Sequence, residues 1–263
     1  MPSIPTRDAA RVASRIALLQ FATDHPRVAA IFAEAGLSPA AGYFPLRLAP
    51  LGPVPSAVGQ ALMPFFPAGL VGKLVARSRE QVPTDRLWEV GRRGLTEAAD
   101  EAFGSMTGLE ELVELFETAV AGADLDGRPL AAAWSAVDWD TPASRLFGAA
   151  TVLREHRGEG HWMAVRTSGL TGDEMHVLAR VAAGHGADGV GHGYRPEQVE
   201  AIGDRLHTRG LLEGWEPSSQ ALTLLEDIEV ATDRLDAPPW LHLGPTGTER
   251  VLELDEAAGR IRV

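Results

Sequence analysis

Residues 196–223, PEQVEAIGDRLHTRGLLEGWEPSSQALT, decide the fold prediction for this chain. A proline-initiated amphipathic helix is followed by a glycine, by two short strands around a tight loop, and by the start of another helix. A further helix and a Gly-rich turn precede this stretch over residues 172–195. The module of residues 172–235 therefore has the order helix, turn, helix, strand, loop, strand, helix, which is typical of a winged helix.

The charges on this module do not suit DNA. A DNA-binding winged helix needs positive charge on its recognition helix and wing, because neutralising phosphates supplies most of the nonspecific affinity. The helix that would enter the groove carries more acids than arginines, with Glu197, Glu200 and Asp204 against Arg205 and Arg209. The wing adds Glu213 and Glu216 without a basic residue. DNA binding is therefore disfavoured, and a module for packing or ligand binding is expected instead.

The rest of the chain is also predicted to be helical. Apolar residues recur at helical spacing almost throughout, and strict alternation over strand-length windows is scarce. Thr107 and Thr141 are predicted N-caps, because each stands just before a helical apolar run. Further helices are predicted over residues 27–35, 56–65, 68–78, 84–103 and 161–167. We therefore expect a mainly α fold with a short β-wing near the C-terminus.

A polar turn near residue 128 separates two regions of similar length, an N-terminal helical half 1–128 and a C-terminal helical half 129–263. The two halves resemble each other in short segments: Ala13-Ser14-Arg15 matches Ala143-Ser144-Arg145, and Ala35-Gly36-Leu37 matches Ser168-Gly169-Leu170. Internal duplication would give two pseudo-symmetric halves, each winged-helix-like, with a cleft between them. Chance similarity between two Ala- and Arg-rich helices is the alternative.

Composition excludes several classes of protein. The 263 residues carry 36 acids against 24 bases, a formal charge of -12, and contain no cysteine. Disulfides, thiolate metal sites and cysteine nucleophiles are thereby excluded. The first residues lack a basic start with an apolar run behind it, and no apolar stretch approaches the roughly 20 residues that span a bilayer. An acidic cytoplasmic protein without a membrane partner is expected.

Five segments resemble an uncharacterised actinobacterial family of helix-turn-helix-domain, winged-helix-like proteins. They occur in the family's order and span most of the chain: Ala35-Gly36-Leu37, Gly42-Tyr43-Phe44, residues 49–54 (APLGPV), 153–161 (LREHRGEGH) and 232–240 (TDRLDAPPW). The resemblance implies a fold and a ligand-binding cleft, and it implies no particular reaction. The chain departs from the family at residues 20–27, where members have a longer segment, so its ligand can differ from theirs.

The side chains best suited to chemistry lie within residues 154–161, REHRGEGH. One helix is predicted to end at Gly158 and another to begin near His161, because two glycines allow a sharp turn of the backbone. Such a corner would bring the imidazoles of His156 and His161 together.

Two imidazoles beside Arg154, Glu155 and Arg157 could serve as acid and base, hold a carboxylate or phosphate, or bind a metal. A helix corner braced by Arg–Glu pairs is the purely structural alternative. Because no third ligand stands at helical spacing, no metal is predicted.

Aromatic side chains are expected to enclose the apolar part of a ligand. Tyr43, Phe44 and Phe66 stand in proline-interrupted apolar segments, which make irregular walls suited to a pocket. Trp162 directly follows His161 and would face the same wall. Plain core packing explains these residues equally well.

We therefore predict a small-molecule-binding protein, acting as a sensor, a sequestering protein or a biosynthetic helper. A small organic ligand would lie in the apolar cleft between the halves, with His156, Arg157 and His161 at its polar end. No nucleotide loop, dinucleotide fingerprint or nucleophile elbow is present, so no cofactor is predicted.

Two alternatives remain open. One is a cofactor-independent enzyme of secondary metabolism that uses His156 or His161 as general base in the same cleft, with Arg154 or Arg157 holding the developing anion. The other is a winged-helix transcription regulator that forms a homodimer with a basic surface.

Overall fold

The structure is a computed structural model that describes residues 6–17, 25–36 and 39–258. Within these ranges it contains thirteen α-helices, a 3-10 helix and one two-stranded sheet. The elements are α1 (Thr6–Ile16), α2 (Pro26–Glu34), α3 (Pro39–Leu48), the 3-10 helix (Ala49–Leu51), α4 (Ser56–Ala61), α5 (Leu70–Gln81), α6 (Thr84–Phe103), α7 (Leu109–Ala121), α8 (Pro129–Ser135), α9 (Pro142–Thr167), α10 (Gly172–Ala182), α11 (Pro196–Thr208), β1 (Leu212–Glu213), β2 (Glu216–Pro217), α12 (Ser219–Leu235) and α13 (Ala237–Ala257). The predicted fold class, mainly α with a short β-wing near the C-terminus, is confirmed.

The wing is a minimal hairpin. Strands β1 and β2 pair antiparallel, with Leu212 opposite Pro217 and Glu213 opposite Glu216. Gly214 opens the two-residue loop between them at a φ of 62°. A glycine with positive φ at the first loop position suits a tight two-residue hairpin, because a side chain there would be strained.

Helix α9 corrects the predicted corner at residues 156–160. It runs without interruption from Pro142 to Thr167. Gly158 and Gly160 therefore lie inside a helix, and the backbone does not turn there. Its N-terminus is as predicted, because the Thr141 hydroxyl accepts from the amide of Ser144 at 3.1 Å. The Ser144 hydroxyl in turn accepts from the amide of Thr141 at 3.0 Å.

Helices α7 and α13 also differ from the prediction. Gly108, not Thr107, is the N-cap of α7, and no side chain caps it. Helix α13 was not predicted, because Gly244, at φ 79° and ψ 168°, and Pro245 interrupt its pattern.

The chain forms two compact units. Unit 1 comprises Met1–Val54, Leu74–Glu159 and Leu235–Val263, and unit 2 comprises Pro55–Lys73 and Gly160–Arg234. The duplication and the division at residue 128 stay predictions. Part of the first proposed repeat, residues 18–24 and 37, lies outside the described residues.

Unit 1 is a helical bundle with a continuous apolar core. Helix α13 packs against α7 and α1, and α2 packs against α6. Trp134 and Trp240 are the largest fully buried side chains in this core. The indole of Trp134 also donates to the backbone carbonyl of Arg47 at 3.1 Å, which fixes the end of α3.

Unit 2 contains the winged-helix module. Helix α10 packs against α11 and β2, and α11 packs against β1. A capping box starts α10, because Thr171 and Glu174 each bond the other's backbone amide. The winged-helix module therefore lies in the segment for which it was predicted, residues 172–235.

Candidate functional site

The predicted site residues fall in both compact units. Unit 1 holds Tyr43, Phe44, Arg154, Glu155, His156 and Arg157, and unit 2 holds Phe66, His161 and Trp162. The structure brings members of each group together within their own unit. A single chamber lined by all nine stays a prediction.

The carboxylate of Glu155 is the centre of a buried ionic cluster in unit 1. Arg47 donates to it through Nε at 2.9 Å and through Nη2 at 2.6 Å, and Arg154 donates at 2.8 Å. The side chain of Glu155 is 1% exposed and that of Arg47 13%. Arg47 also donates to the hydroxyl of Tyr43 at 3.3 Å. This bidentate pair links α3 to α9. It corresponds to the purely structural alternative, in which Arg–Glu pairs brace this region.

Electrostatics within this cluster favour the charged form of Arg47. Burial acts to lower the pKa of this guanidinium, but the negative charge of Glu155 and the interactions with Tyr43 together outweigh burial and raise the pKa above its usual value. The pKa of Arg154 is lowered instead, by burial and by the positive charge of Arg47. Two guanidinium groups therefore share one buried carboxylate. The charged form of Arg154 is less favoured there than that of Arg47.

His156 is the most unusual group in unit 1. The residue is fully buried, and its Nδ1 lies 3.1 Å from Oδ1 of Asp236. Because a carboxylate only accepts hydrogen bonds, Nδ1 is the donor in this contact. Within the described part of the chain, the buried Nε2 has no hydrogen-bond partner. An oriented imidazole with an unused nitrogen can form one more hydrogen bond.

Asp236 organises the surroundings of this histidine. It also accepts from Arg157 at 3.4 Å and from the indole of Trp240 at 3.3 Å. Arg128 donates to the backbone carbonyl of His156 at 2.6 Å. Composition and spacing do not reveal Asp236 and Arg128, although Asp236 stands in the segment 232–240 that carries the family resemblance.

Two further side chains of unit 1 have structural roles. Glu159 accepts from the backbone amides of Leu130 and Ala131 at 2.9 and 3.0 Å, and so caps the start of α8. Burial raises the pKa of this carboxyl. The ring of Phe44 is buried and lies edge-on to Tyr43 at 4.8 Å, as a core side chain does.

His161 makes a separate set of contacts in unit 2. Its Nδ1 lies 2.9 Å from the hydroxyl of Thr232 and 3.7 Å from the carboxylate of Glu229. The ring centroid of Phe65 lies 5.7 Å from that of His161 and 5.8 Å from that of Trp162. These residues form a small aromatic cluster, whose member Phe65 and partner Thr232 were not predicted as site residues.

The remaining predicted aromatic, Phe66, lies elsewhere in unit 2. Its ring centroid is 5.1 Å from that of His192. Trp162, for its part, carries the guanidinium of Arg166 over its ring at 5.5 Å, which is a cation–π contact.

The two arginines of the predicted recognition helix α11 are bound to carboxylates of α10. Arg205 donates to Asp173 at 2.7 Å and to Glu174 at 3.1 Å, and Arg209 donates to Glu174 at 2.9 Å. Burial acts to raise the pKa of Glu174, but hydrogen bonds from Thr171 and Arg205 outweigh burial and lower it. Arg205 of α11 and Arg209, which directly follows this helix, are therefore both bound inside the module.

The exposed side of α11 is acidic as a result. Glu197, Glu200 and Asp204 are exposed, and the wing residues Glu213 and Glu216 are exposed beside them in sequence. Such a surface repels a polyanion, because both carry negative charge. Contacts to phosphates would need Lys or Arg side chains that are not already paired.

Among the described residues, no three His, Asp or Glu side chains are grouped so as to hold a metal ion. None of the helices in the described ranges has the length and apolar content to cross a membrane.

Together these features define a helical protein that carries a winged-helix form of the helix-turn-helix, with an acidic face on its second helix. A family model described as a helix-turn-helix family matches residues 7–262, so the chain belongs to that family. No curated protein and no solved structure shows significant similarity to the chain. The coarse part of the resemblance, membership of a helix-turn-helix family, is confirmed.

Proposed function

We propose that this helix-turn-helix protein binds a small organic molecule, with His156 and Arg157 contacting its polar end, and that DNA is not its ligand. The observation that carries the proposal is the buried, unpartnered Nε2 of His156. A buried polar atom without a partner costs about 1–3 kcal/mol, so native proteins satisfy nearly all such atoms. A hydroxyl or amide group of a ligand would satisfy this one.

The side chain of Arg157 supports the same site. It is 18% exposed, and it shares Asp236 with His156. A guanidinium held beside an imidazole suits a ligand with a carbonyl or carboxylate next to a hydrogen-bond donor. His161, in unit 2, remains part of the broader prediction for the polar end.

Native mass spectrometry of protein purified from its own source tests the proposal. The expected result is a mass above that of the chain, and denaturation should release the extra mass as an organic molecule. Wild-type protein that carries only the mass of its chain, and no retained compound in extracts, would count against the proposal. Turnover of the released compound by the protein would favour the enzyme alternative, with Nε2 of His156 as general base.

A matched pair of variants assigns the contact to one nitrogen. In His156→Asn the side-chain amide can reach Asp236 but nothing replaces Nε2, whereas His156→Gln places its amide near the position of Nε2. We expect the Asn variant to lose the bound molecule and the Gln variant to retain part of it. Thr151→Val, which removes another buried and unpartnered polar atom from α9, is the control and should retain it. Equal occupancy in all three variants would refute the assignment.

A transcription regulator is the second candidate, because the chain belongs to a helix-turn-helix family. Such a regulator would have to form a homodimer that brings cations together, since the exposed face of α11 is acidic. A gel shift with promoter fragments at moderate salt tests this candidate. We expect no shifted band, and a band that weakens steeply with added salt would favour the regulator instead.

A further inference from the structure

A cavity of about 320 Å³ lies within unit 2, at the start of α11. Its walls include Asp188, Val190, Tyr194, Val199, Glu200 and Trp215. The volume lies at the lower end of the range for small-molecule sites. Two carboxylates, two aromatic rings and two valines therefore line one small space.

The aromatic walls are fixed in place. Trp215, in the wing loop, lies against α11 at Gly203, where the Cβ of any larger residue would come within 2.7 Å of the indole ring. Tyr194 stacks on His176 at 5.3 Å and donates its hydroxyl proton to the carbonyl of Phe65 at 3.2 Å. Burial raises the pKa of Tyr194, so its phenol stays neutral. Both rings therefore offer a neutral aromatic surface.

The loop that forms the third wall is held by α10. His176 lies 2.9 Å, through Nε2, from the carbonyl of Val190, and Arg180 donates to the carbonyl of Gly189 at 2.9 and 3.1 Å. Both side chains thus bind backbone carbonyls of the loop. Neither of them pairs with the carboxylate of Asp188 in that loop. A wall that is already ordered lowers the entropic cost of binding.

The charge of the cavity identifies its ligand. Among the residues that the structure describes, neither Asp188 nor Glu200 forms an ion pair, and no Lys or Arg is among the lining residues. The N-terminus of α11 contributes only about half a positive charge, which two carboxylates outweigh. Two exposed carboxylates in one lining attract a cation by charge, and an indole in the same lining can add a cation–π contact.

We propose that this cavity binds a small organic cation, an alkylammonium or guanidinium compound with an apolar part that contacts Val190 and Val199. The site is distinct from the one at His156 and goes beyond the proposed function. The cation would lie between Glu200 and Asp188 and over Trp215. The valines would bury its hydrocarbon part, which gives selectivity against simple metal ions.

Isothermal titration calorimetry with the full chain and four probes tests this proposal. The probes are choline, agmatine, the neutral choline analogue 3,3-dimethylbutanol, and a short peptide that contains Arg and Lys. We expect choline or agmatine to bind and 3,3-dimethylbutanol not to bind. Equal binding of the neutral analogue, or no binding of either small cation, would overturn the proposal. Binding of the peptide alone would also overturn it, because a protein segment would then be the ligand.

Variants test the lining residues. Asp188→Asn and Glu200→Gln alter exposed side chains, so both variants should fold, and each should weaken binding by about tenfold. Glu197→Gln, on the same helix but outside the cavity, is the control and should change affinity by less than about twofold. Trp215→Leu should weaken choline more than agmatine if the ring face holds the quaternary ammonium. Unchanged affinity in the Asp188→Asn/Glu200→Gln double variant would refute the site.

Discussion

The buried Arg47–Glu155 pair allows a direct test of what burial does to an ion pair. Arg145 and Glu117 form a second pair with the same bidentate geometry, 2.9 Å through Nε and 2.6 Å through Nη2. Those side chains are 44% and 42% exposed, whereas Glu155 is 1% exposed. Glu155→Gln and Glu117→Gln are thus the same change at two depths in one unit.

The two variants should differ several-fold in their cost. Removing one partner of a buried pair costs about 3–5 kcal/mol, because the other charge remains without its counterion. Here two guanidinium groups, Arg47 and Arg154, would lose the carboxylate that they share. An exposed pair contributes less than about 1 kcal/mol, since water screens it. We therefore expect Glu155→Gln to lower the free energy of unfolding by about 3–5 kcal/mol and Glu117→Gln by less than about 1 kcal/mol.

Urea unfolding followed by circular dichroism and tryptophan fluorescence measures both values, and the slope against denaturant shows whether the transition is comparable. Added salt should reduce the effect at Glu117 and leave the effect at Glu155 nearly unchanged. If Glu155→Gln costs no more than Glu117→Gln, the cluster is accessible to water or to a ligand, and its bracing role is wrong.

Three further outcomes are expected. Thr151→Val should raise the free energy of unfolding by about 1 kcal/mol, since the buried hydroxyl has no partner among the described residues, and a loss of stability in urea would contradict this. Burial, together with the charges of His192 and Arg180, lowers the pKa of His176 below its usual 6.5. The unfolded chain then binds the proton first, so unit 2 is most stable above pH 6.5 and loses stability below it. Hydrogen exchange of α10 amides at several pH values should show that direction, and a rise in protection on acidification would refute it. Gly203→Ala should displace the indole of Trp215 from α11, because its Cβ would come within 2.7 Å of the ring, and an unmoved indole NMR signal would contradict the contact.

The fold could largely be predicted because local signals and tertiary packing agree over most of the chain. The winged-helix order was predicted from Pro196 at the start of α11 and from Gly210 directly after this helix, and both act through local backbone geometry. At Gly158 and Gly160 the local signal and the packing disagree. Glycine weakens a helix by about 0.5–1 kcal/mol, and the long-range bonds of Glu155, His156 and Glu159 outweigh that cost.

The candidate site could be predicted only in part, because its partners come from distant segments. Residues 154–157 were recognised from their own chemistry. Arg47 lies 108 residues away from Glu155 and Asp236 lies 80 residues away from His156, so no spacing rule links them. The grouping of His161 with His156 depended on the corner, and without the corner that expectation has no local support.

The bonds between α10 and α11 also constrain how this module can evolve. Arg205 bonds to Asp173 and Glu174 of α10, and Arg209 bonds to Glu174 as well, so turning either arginine outward would break bonds of that junction. Direct contact between α11 and DNA would require basic residues on the outer face of this helix, where Glu197, Glu200 and Asp204 are exposed. Change at this junction would therefore have to be coupled, since replacing one of these arginines alone leaves a carboxylate of α10 with one partner fewer.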